Sequence, residues 1–270
     1  MRRRDFFAWL GQAAVAPMYW PISAQAQPSG QTGRTNFPNG DTTGVPPGVT
    51  LTPHNGNLFS NAVGQVIEGL DVTDTIVINH TNVTVRKCRA GHIGCEAADA
   101  AVEDCDVTGG SAPGGSGISA GSTGNNATIR RCNIRGVENG IFIGNATSGH
   151  LIEDNYIHDL ANPSNPDPHF DGIQFFEGES NTTIRHNNID LPRSRINSCI
   201  TMKSAINLNI IDNRLNGGSY SIYIEGRSTG VNVVNNVFGF RVFGFVSGAS
   251  FRAAKYSGNT DLNGNPIRLP

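Results

Sequence analysis

Short runs of alternating apolar and polar residues recur along most of the chain. In one series an aliphatic residue is followed three positions later by Cys or Asn, and two positions further by an apolar or small residue. The Cys or Asn slot recurs at intervals of 17, 27, 23, 32, 26 and 23 residues. Its members are Cys88, Cys105, Cys132, Asn155, Asn187, Asn213 and Asn236. Such unequal intervals indicate fixed strands joined by loops of variable length.

A second series runs beside the first and has Ile at the third position of each member. It comprises SGISAG (116–121), NGIFIG (139–144), DGIQFF (171–176), SCITMK (198–203) and YSIYIE (220–225), with RVFGFV (241–246) as a degenerate sixth. Apolar residues alternate with others, which is the period of a half-buried strand.

This alternation predicts which side chains face the core. The inward set is Ile173, Phe175, Ile200, Met202, Ile222 and Ile224. One outward column should then hold Gln174, Thr201 and Tyr223, and the next should hold Phe176, Lys203 and Glu225.

Two short strands in each irregular period of about 23 residues predict an all-β parallel β-helix, or β-solenoid. Each turn adds one rung to each sheet, and rungs stack roughly 4.8 Å apart. Asn suits a tight bend because it tolerates left-handed dihedrals, and stacked Asn amides can hydrogen-bond along the axis. Cys in the same slot acts as a small apolar residue, so buried thiols are favoured over disulfides there. Zinc is not expected, because no C-x-x-C pair is present.

Composition agrees with many short strands and turns. The 270 residues include 33 Gly and only 3 Met, and 16% are charged. Five cysteines leave at least one thiol unpaired in each chain.

Residues 1–26 are interpreted as a signal peptide. An arginine cluster precedes an apolar stretch and a small-x-small site at 24–26, and residues 3–7 resemble the twin-arginine export signal. An export signal is favoured over a membrane anchor because two prolines break the short apolar stretch, and no later segment approaches a membrane span. Its removal moves the formal net charge from −2 to −4, so nucleic acid is not an expected partner. We therefore expect a periplasmic or extracellular protein.

The rest of the chain divides in two. Residues 27–58 are rich in Pro, Gly, Thr and Asn and are interpreted as a linker and N-terminal cover. Residues 59–270 are predicted to form the β-helix domain, closed by a loop at 257–270. Both ends must cover open sheet edges. A monomer is expected.

The Asn slot and the paired rungs resemble the right-handed, single-stranded parallel β-helix proteins of the pectate-lyase-like superfamily, across about residues 60–250. The right-handedness of the β-helix is what this resemblance implies. Members of that superfamily include polysaccharide lyases, uronate epimerases, glycoside hydrolases and phage tailspikes, so the fold alone does not choose an activity.

The candidate functional residues lie where long loops enter two successive rungs, at ANPSNPDPHF (161–170) and LPRSRIN (191–197). Stacking brings acids, bases, cations and amides to one outer face. The candidate catalytic residues are His169, Asp171, Lys203 and Tyr223, and the candidate substrate-binding residues are Arg193, Arg195, Gln174, Phe176 and Glu225.

Such a face suits uronic-acid polymers, where β-elimination and C5 inversion both begin with loss of the C5 proton. Cations or hydrogen-bond donors must then stabilise the dianionic intermediate. Asp167 and Asp171 either hold His169 in place or bind Ca²⁺ through hard oxygen ligands. No cofactor other than this possible Ca²⁺ is expected.

Two short motifs add resemblances. Asp167-Pro168-His169 is similar to the D-P-H motif of alginate C5-epimerases, in which the Asp and His belong to the active site, although here it runs directly into a strand. The D-G-I of residues 171–173 resembles the N-T-D-G of polygalacturonases, but no adjacent Asp-Asp or G-H-G accompanies it. Hydrolysis therefore ranks below proton abstraction.

Structural explanations remain open for several of these residues. Pro168 stiffens a loop in any case, Asp171 fits an ordinary turn, and Lys203 with Glu225 fits a surface ion pair. The sequence therefore predicts an exported lyase that cleaves an acidic polysaccharide by β-elimination. The alternatives are a C5-epimerase or glycoside hydrolase that uses the same face, and a non-catalytic carbohydrate-binding or adhesive β-helix.

Overall fold

The computed structural model describes residues 36–109, 115–144, 146–162, 165, 167–192, 196–247 and 253–268. The predicted signal peptide at 1–26 and the candidate residues Arg193 and Arg195 lie outside these ranges. Within them, all regular structure is β-strand and no helix occurs. A search of the same residues for an apolar helix of membrane-spanning length found none.

The strands are short and follow one another at close intervals. In chain order they are β1 (Thr52–His54), β2 (Leu58–Phe59), β3 (Val66–Glu68), β4 (Leu70–Ile78), β5 (Thr84–Arg86), β6 (Arg89–Cys95), β7 (Ala101–Glu103), β8 (Asp106–Val107), β9 (Ser116–Ala120), β10 (Thr128–Arg130), β11 (Asn133–Ile134), β12 (Asn139–Ile143), β13 (Leu151–Glu153), β14 (Tyr156–His158), β15 (Phe170–Phe175), β16 (Thr183–Arg185), β17 (Asn188–Leu191), β18 (Ile196–Lys203), β19 (Asn209–Ile211), β20 (Arg214–Gly217), β21 (Tyr220–Glu225), β22 (Asn232–Val234), β23 (Val237–Phe238), β24 (Gly244–Val246), β25 (Lys255–Ser257) and β26 (Thr260–Asp261).

The strands stack in three parallel columns. Sheet I contains β3, β5, β7, β10, β13, β16, β19, β22 and β25. Sheet II contains the short strands β8, β11, β14, β17, β20, β23 and β26, and sheet III contains β9, β12, β15, β18, β21 and β24. The long strands β4 and β6 belong to both sheets II and III, and β1 and β2 pair with β4. Each strand pairs with those one turn earlier and later, so the predicted parallel β-helix is confirmed.

One detail of the prediction was wrong, because each turn carries three strands and not two. The strand that was missed is that of sheet II, which is as short as Asn133–Ile134 and directly follows the Cys or Asn slot. Two residues are too few to show an alternating pattern of their own.

The predicted ladder of Cys and Asn is confirmed, and Asn259 extends it by one rung. The amide nitrogen of Asn187 donates to Oδ1 of Asn213 (3.0 Å), and Asn213 donates likewise to Asn236 (3.0 Å). Each buried amide also donates to a backbone carbonyl of the previous rung, as Asn213 does to Ile184 O (2.9 Å). The stack therefore satisfies buried polar groups along the axis.

The sequence analysis expected the ladder residue of each bend to adopt the left-handed conformation. In the structure it is the residue before the ladder residue that does so. Positive φ angles occur at Lys87, Asp104, Arg131, Asp154, His186, Asp212 and Asn235. These polar side chains point outward at the bend, and the ladder side chain turns inward and is fully buried. The side-chain amide of Asn at this slot therefore makes hydrogen bonds, and the slot does not need a residue that tolerates a left-handed backbone conformation.

The core is a stack of aliphatic residues. Every predicted inward residue of sheet III is buried, from Ile173 to Ile224. All five cysteines are fully buried free thiols, which confirms the expectation for Cys88, Cys105 and Cys132. Burial raises the pKa of the Cys88 thiol to about 12, and that of Cys95 likewise.

Native thiols should therefore resist modification. We expect no reaction of the native protein with a thiol-specific disulfide reagent at neutral pH, and reaction of five thiols per chain in denaturant. A colorimetric thiol titration measures both numbers. Fewer than five thiols in denaturant without reductant would contradict the buried free-thiol ladder.

The described part of the predicted N-terminal cover lies along the side of the β-helix. Asn36 O lies 3.1 Å from Nε2 of His186, and the backbone nitrogen of Gly44 donates to Arg131 O (2.9 Å). Further along, β1 and β2 add strands to the first rung.

Candidate functional site

Sheet III carries most of the candidate residues on its outer face. Its register aligns Phe142, Gln174, Thr201 and Tyr223 in one column. A neighbouring column aligns Asn139, Asp171, Ser198 and Tyr220, and Lys203 pairs with Glu225 in a third. The predicted outward column of Gln174, Thr201 and Tyr223 is therefore confirmed.

Asp171 lies at the centre of this face but under its surface, because its side chain is only 1% exposed. Its Oδ1 accepts hydrogen bonds from Ser198 Oγ (2.6 Å), Thr201 Oγ1 (2.6 Å) and Asn197 Nδ2 (2.9 Å). Burial raises the pKa of Asp171 to about 6, although these donors and the charge of His169 act in the opposite direction. A buried carboxylate in this setting positions neighbours and responds to pH.

Gly172, which follows, explains the D-G-I motif structurally. A Cβ at this position would lie 2.5 Å from the carbonyl oxygen of Cys199 and 2.5 Å from Cγ2 of Ile189. Glycine is therefore required in this rung by the closeness of its neighbours, whereas Cys199 and Ser221 hold the equivalent position in the next two rungs. The strand Phe170–Phe175 pairs in register with the rungs on either side, as the alignment of 171–176 with the other repeats predicts.

His169 lies on the loop before β15, which Glu138 holds against the rung below. Glu138 Oε1 accepts a hydrogen bond from the backbone nitrogen of His169 (3.0 Å). The same carboxylate accepts from the side-chain amides of Asn162 and Asn165. One side chain therefore fixes both ends of the described part of the loop and places His169 within electrostatic reach of Asp171.

Tyr223 lies at the other end of the face. Its strand is two strand spacings, or about 10 Å, from β15. Burial raises the pKa of its phenol, and the charges of Glu225 and Asp171 act in the same direction. Tyr220 lies 6.0 Å from Tyr223 and 5.8 Å from Phe243, measured between ring centroids. At the opposite end Phe142 and Phe176 lie 6.0 Å apart. Aromatic rings thus flank a polar centre on both sides.

Gln174 and Lys203 complete the described polar groups. Gln174 Oε1 accepts a hydrogen bond from Asn139 Nδ2 (3.0 Å), which orients its amide. Lys203 Nζ lies 3.1 Å from Glu177 Oε2 in a half-exposed ion pair. Its partner in register on the next strand is Glu225. The sequence analysis anticipated an ion pair of Lys203 with Glu225, whereas the ion pair described in the structure is with Glu177.

The two predicted calcium ligands, Asp167 and Asp171, lie in different surroundings. Asp171 directs Oδ1 to three donors, whereas Asp167 is exposed on the loop. No cluster of three or more His, Cys, Asp or Glu side chains placed to bind a metal occurs among the described residues. Calcium binding remains a prediction, and no chemical step below depends on it.

Several residues that shape the site were not identified from the sequence. They are Glu138, Asn139, Asn197, Ser198, Tyr220 and Phe243. Ser198 and Asn139 share the slot of Asp171 in adjacent rungs, so the register of the repeats contained this signal. Glu138 acts across 31 residues through a loop, and no local pattern identifies it.

Asp171 should make the stability of the protein depend on pH. Its pKa rises from the ordinary value of 3.8 to about 6, so the folded state favours the protonated form. The contribution of Asp171 to stability is therefore fully present below about pH 4 and is lost, by up to about 3 kcal/mol, between about pH 4 and pH 6. Asp171→Asn, which stays neutral, should remove this loss.

Urea unfolding of both proteins at pH 4 and pH 7 measures the difference. The exposed Asp41→Asn variant is the control and should behave as the wild type. If the wild type and Asp171→Asn lost the same free energy of unfolding between pH 4 and pH 7, the raised pKa of Asp171 would be contradicted.

A solved structure of a mutant of the periplasmic alginate epimerase AlgG is similar to this chain, with 14% sequence identity and a TM-score of 0.46. The alignment covers 77% of this chain and 50% of the other, so this chain spans about half the length of that protein. No curated protein matched significantly.

A family described as the right handed beta helix region matches residues 67–238. This match covers well over half of the chain and includes all three sheets and most of the ladder. It agrees with the right-handed parallel β-helix expected from the repeats. The protein therefore belongs to the right-handed β-helix family.

Proposed function

We propose that this protein is an exported enzyme that removes the C5 proton of a uronic-acid residue in an acidic polysaccharide and cleaves the chain by β-elimination. One observation supports the proposal: His169 directly precedes β15, whose Asp171 is buried, and Tyr223 lies in the outward column of the same sheet two rungs away. A base and a protonated phenol on either side of a sugar are the two proton-transfer groups that elimination needs.

In this mechanism His169 takes the C5 proton, and the electrons form the C4–C5 double bond as the C4–O4 bond breaks. Tyr223, whose phenol is protonated at neutral pH, donates its proton to O4 of the leaving chain. Asp171 stabilises the imidazolium that forms on His169. It touches no substrate and is a positioning residue.

The proposed groove also suits a chain of sugars. Phe142 and Tyr223 lie three strand spacings apart in one column, or about 14 Å. Between them Gln174 and the neighbouring Lys203 offer donors to a uronate carboxylate, a role also proposed for Arg193 and Arg195. Phe176 extends the aromatic surface for sugar stacking, and Glu225 borders it.

A second candidate activity is C5 epimerisation, favoured by the Asp167-Pro168-His169 tripeptide. The first step is the same, but the intermediate is then reprotonated at C5 from the opposite face and the chain stays intact. Tyr223, two rungs from His169, is the proposed donor in that case.

Incubation with polymannuronate, polyguluronate, polygalacturonate and a glucuronan tests the proposal, with and without EDTA. Rising absorbance of the unsaturated product supports the lyase, and C5 inversion without cleavage supports the epimerase. Binding without either reaction supports a carbohydrate-binding module, and loss of activity in EDTA supports a metal requirement.

A further inference from the structure

A strap formed by residues 45–51 bridges the first rungs of sheet II, far from the loop that carries His169. It is fixed at one end by Gly44, whose backbone nitrogen donates to Arg131 O (2.9 Å), and at the other by Thr52, which donates to Gly69 O (2.8 Å). A turn closed by Val49 N and Pro46 O (3.3 Å) shapes its middle. Under the strap lies an open cavity of about 420 Å³, a volume typical of small-molecule sites.

The floor of the cavity is a column of alternating charge. Asp71, Arg89 and Asp106 align in register on three consecutive rungs. Arg89 Nη1 lies 3.1 Å from Asp71 Oδ2. Gly44 has a φ of 81°, and a Cβ there would collide with Oδ1 of Asp106, so glycine lets the strap close against this carboxylate.

The strap supplies the rest of the lining, from Val45, Pro46, Pro47, Gly48, Val49 and Leu51, and most of the surface that faces the cavity is polar. Proline restricts backbone φ, so Pro46 and Pro47 limit the conformations of the strap. A mainly polar lining that contains a row of charged hydrogen-bonding groups suits a ligand rich in hydroxyl groups.

The charges select among ligand classes. An anion such as a uronate would face two carboxylates, and an amine would face the Arg89 guanidinium. A neutral polyol uses all three groups, because its hydroxyls donate to Asp71 and Asp106 and accept from Arg89. Among the described residues, these three are the charged side chains that line the cavity.

We propose that this cavity is a binding site for a neutral sugar ring, separate from the proposed acidic-chain groove on sheet III. The ring lies under the strap, and its hydroxyls bind the column of Asp71, Arg89 and Asp106. Such a site would hold the protein on a glycan that contains neutral sugars. It does not depend on the reaction proposed above.

Ligand-observed saturation-transfer NMR on the full chain tests this with the methyl glycosides of glucose, mannose and galactose. Methyl glucuronoside and methylamine are the charged comparisons. We expect at least one neutral glycoside to bind with a dissociation constant on the order of 1 mM, and the charged probes to bind at least about tenfold more weakly.

Two variants locate the site. Arg89→Met and Asp106→Asn should each weaken binding at least about tenfold. Arg86→Met removes an arginine of similar exposure from an equivalent ion pair with Glu68 (2.8 Å) on sheet I, outside the cavity, and should bind as the wild type. Thermal unfolding checks that each variant is folded, and Asp106→Asn keeps the test valid if Arg89→Met does not fold.

Absence of binding by all three neutral glycosides would overturn the proposal. So would tighter binding of either charged probe, or neutral-sugar binding that survives both cavity variants.

Discussion

We expect replacement of His169 with Gln to lower the rate of the proposed uronan reaction by about 10³-fold, within the range for removal of a general base. The amide keeps the size of the side chain but cannot accept the C5 proton at a useful rate. The backbone nitrogen of His169 still binds Glu138, so the loop keeps its anchor. We expect kcat to fall and KM to change little, because the lost interaction belongs to the transition state.

His54→Gln is the matched control. His54 lies on β1 at the first rung and contacts the backbone of Asn57, away from sheet III of the later rungs. Its replacement should leave kcat unchanged. Equal activity of the wild type and His169→Gln, with both proteins folded by circular dichroism, would remove His169 from the mechanism.

The largest effect on stability is expected at the ladder. Asn213→Ala removes the donor to Ile184 O and the acceptor of the Asn187 backbone nitrogen. These buried groups then lack partners, and each costs about 1–3 kcal/mol. The free energy of unfolding should therefore fall by about 2–6 kcal/mol.

Asn209→Ala provides the comparison, because Asn209 lies on the adjacent strand β19 with its amide near the surface. We expect a loss below about 1 kcal/mol there. Chemical denaturation of both variants gives the two values. Equal losses would show that the ladder amides contribute no more than surface hydrogen bonds.

The sequence was sufficient for the features that repeat. Because the side-chain period of a strand is two, aligning DGIQFF with SCITMK and YSIYIE predicted both the buried Ile column and the outward column with Tyr223. The ladder followed from the same alignment. These features depend on residues that occupy equivalent positions in every turn.

The sequence was not sufficient where the structure departs from the repeat. Sheet II was missed because its strands hold as few as two residues. The anchoring role of Glu138 depends on a loop that returns after 31 residues, and the burial of Asp171 depends on donors from the next rung. Such contacts between loops have no period, so a pattern in a single chain does not predict them.

The exchange of the C5 proton with solvent tests the proposed function most directly, because elimination and epimerisation both begin with its removal. The protein is incubated with each polyuronate in D₂O, and the recovered sugars are examined by proton NMR and mass spectrometry. The proposal predicts chain cleavage with an unsaturated C4–C5 product, or deuterium at C5 of intact chains, for the wild type and neither for His169→Gln. Polyuronates that bind the wild-type protein yet are recovered intact, with their C5 protons retained, would contradict it.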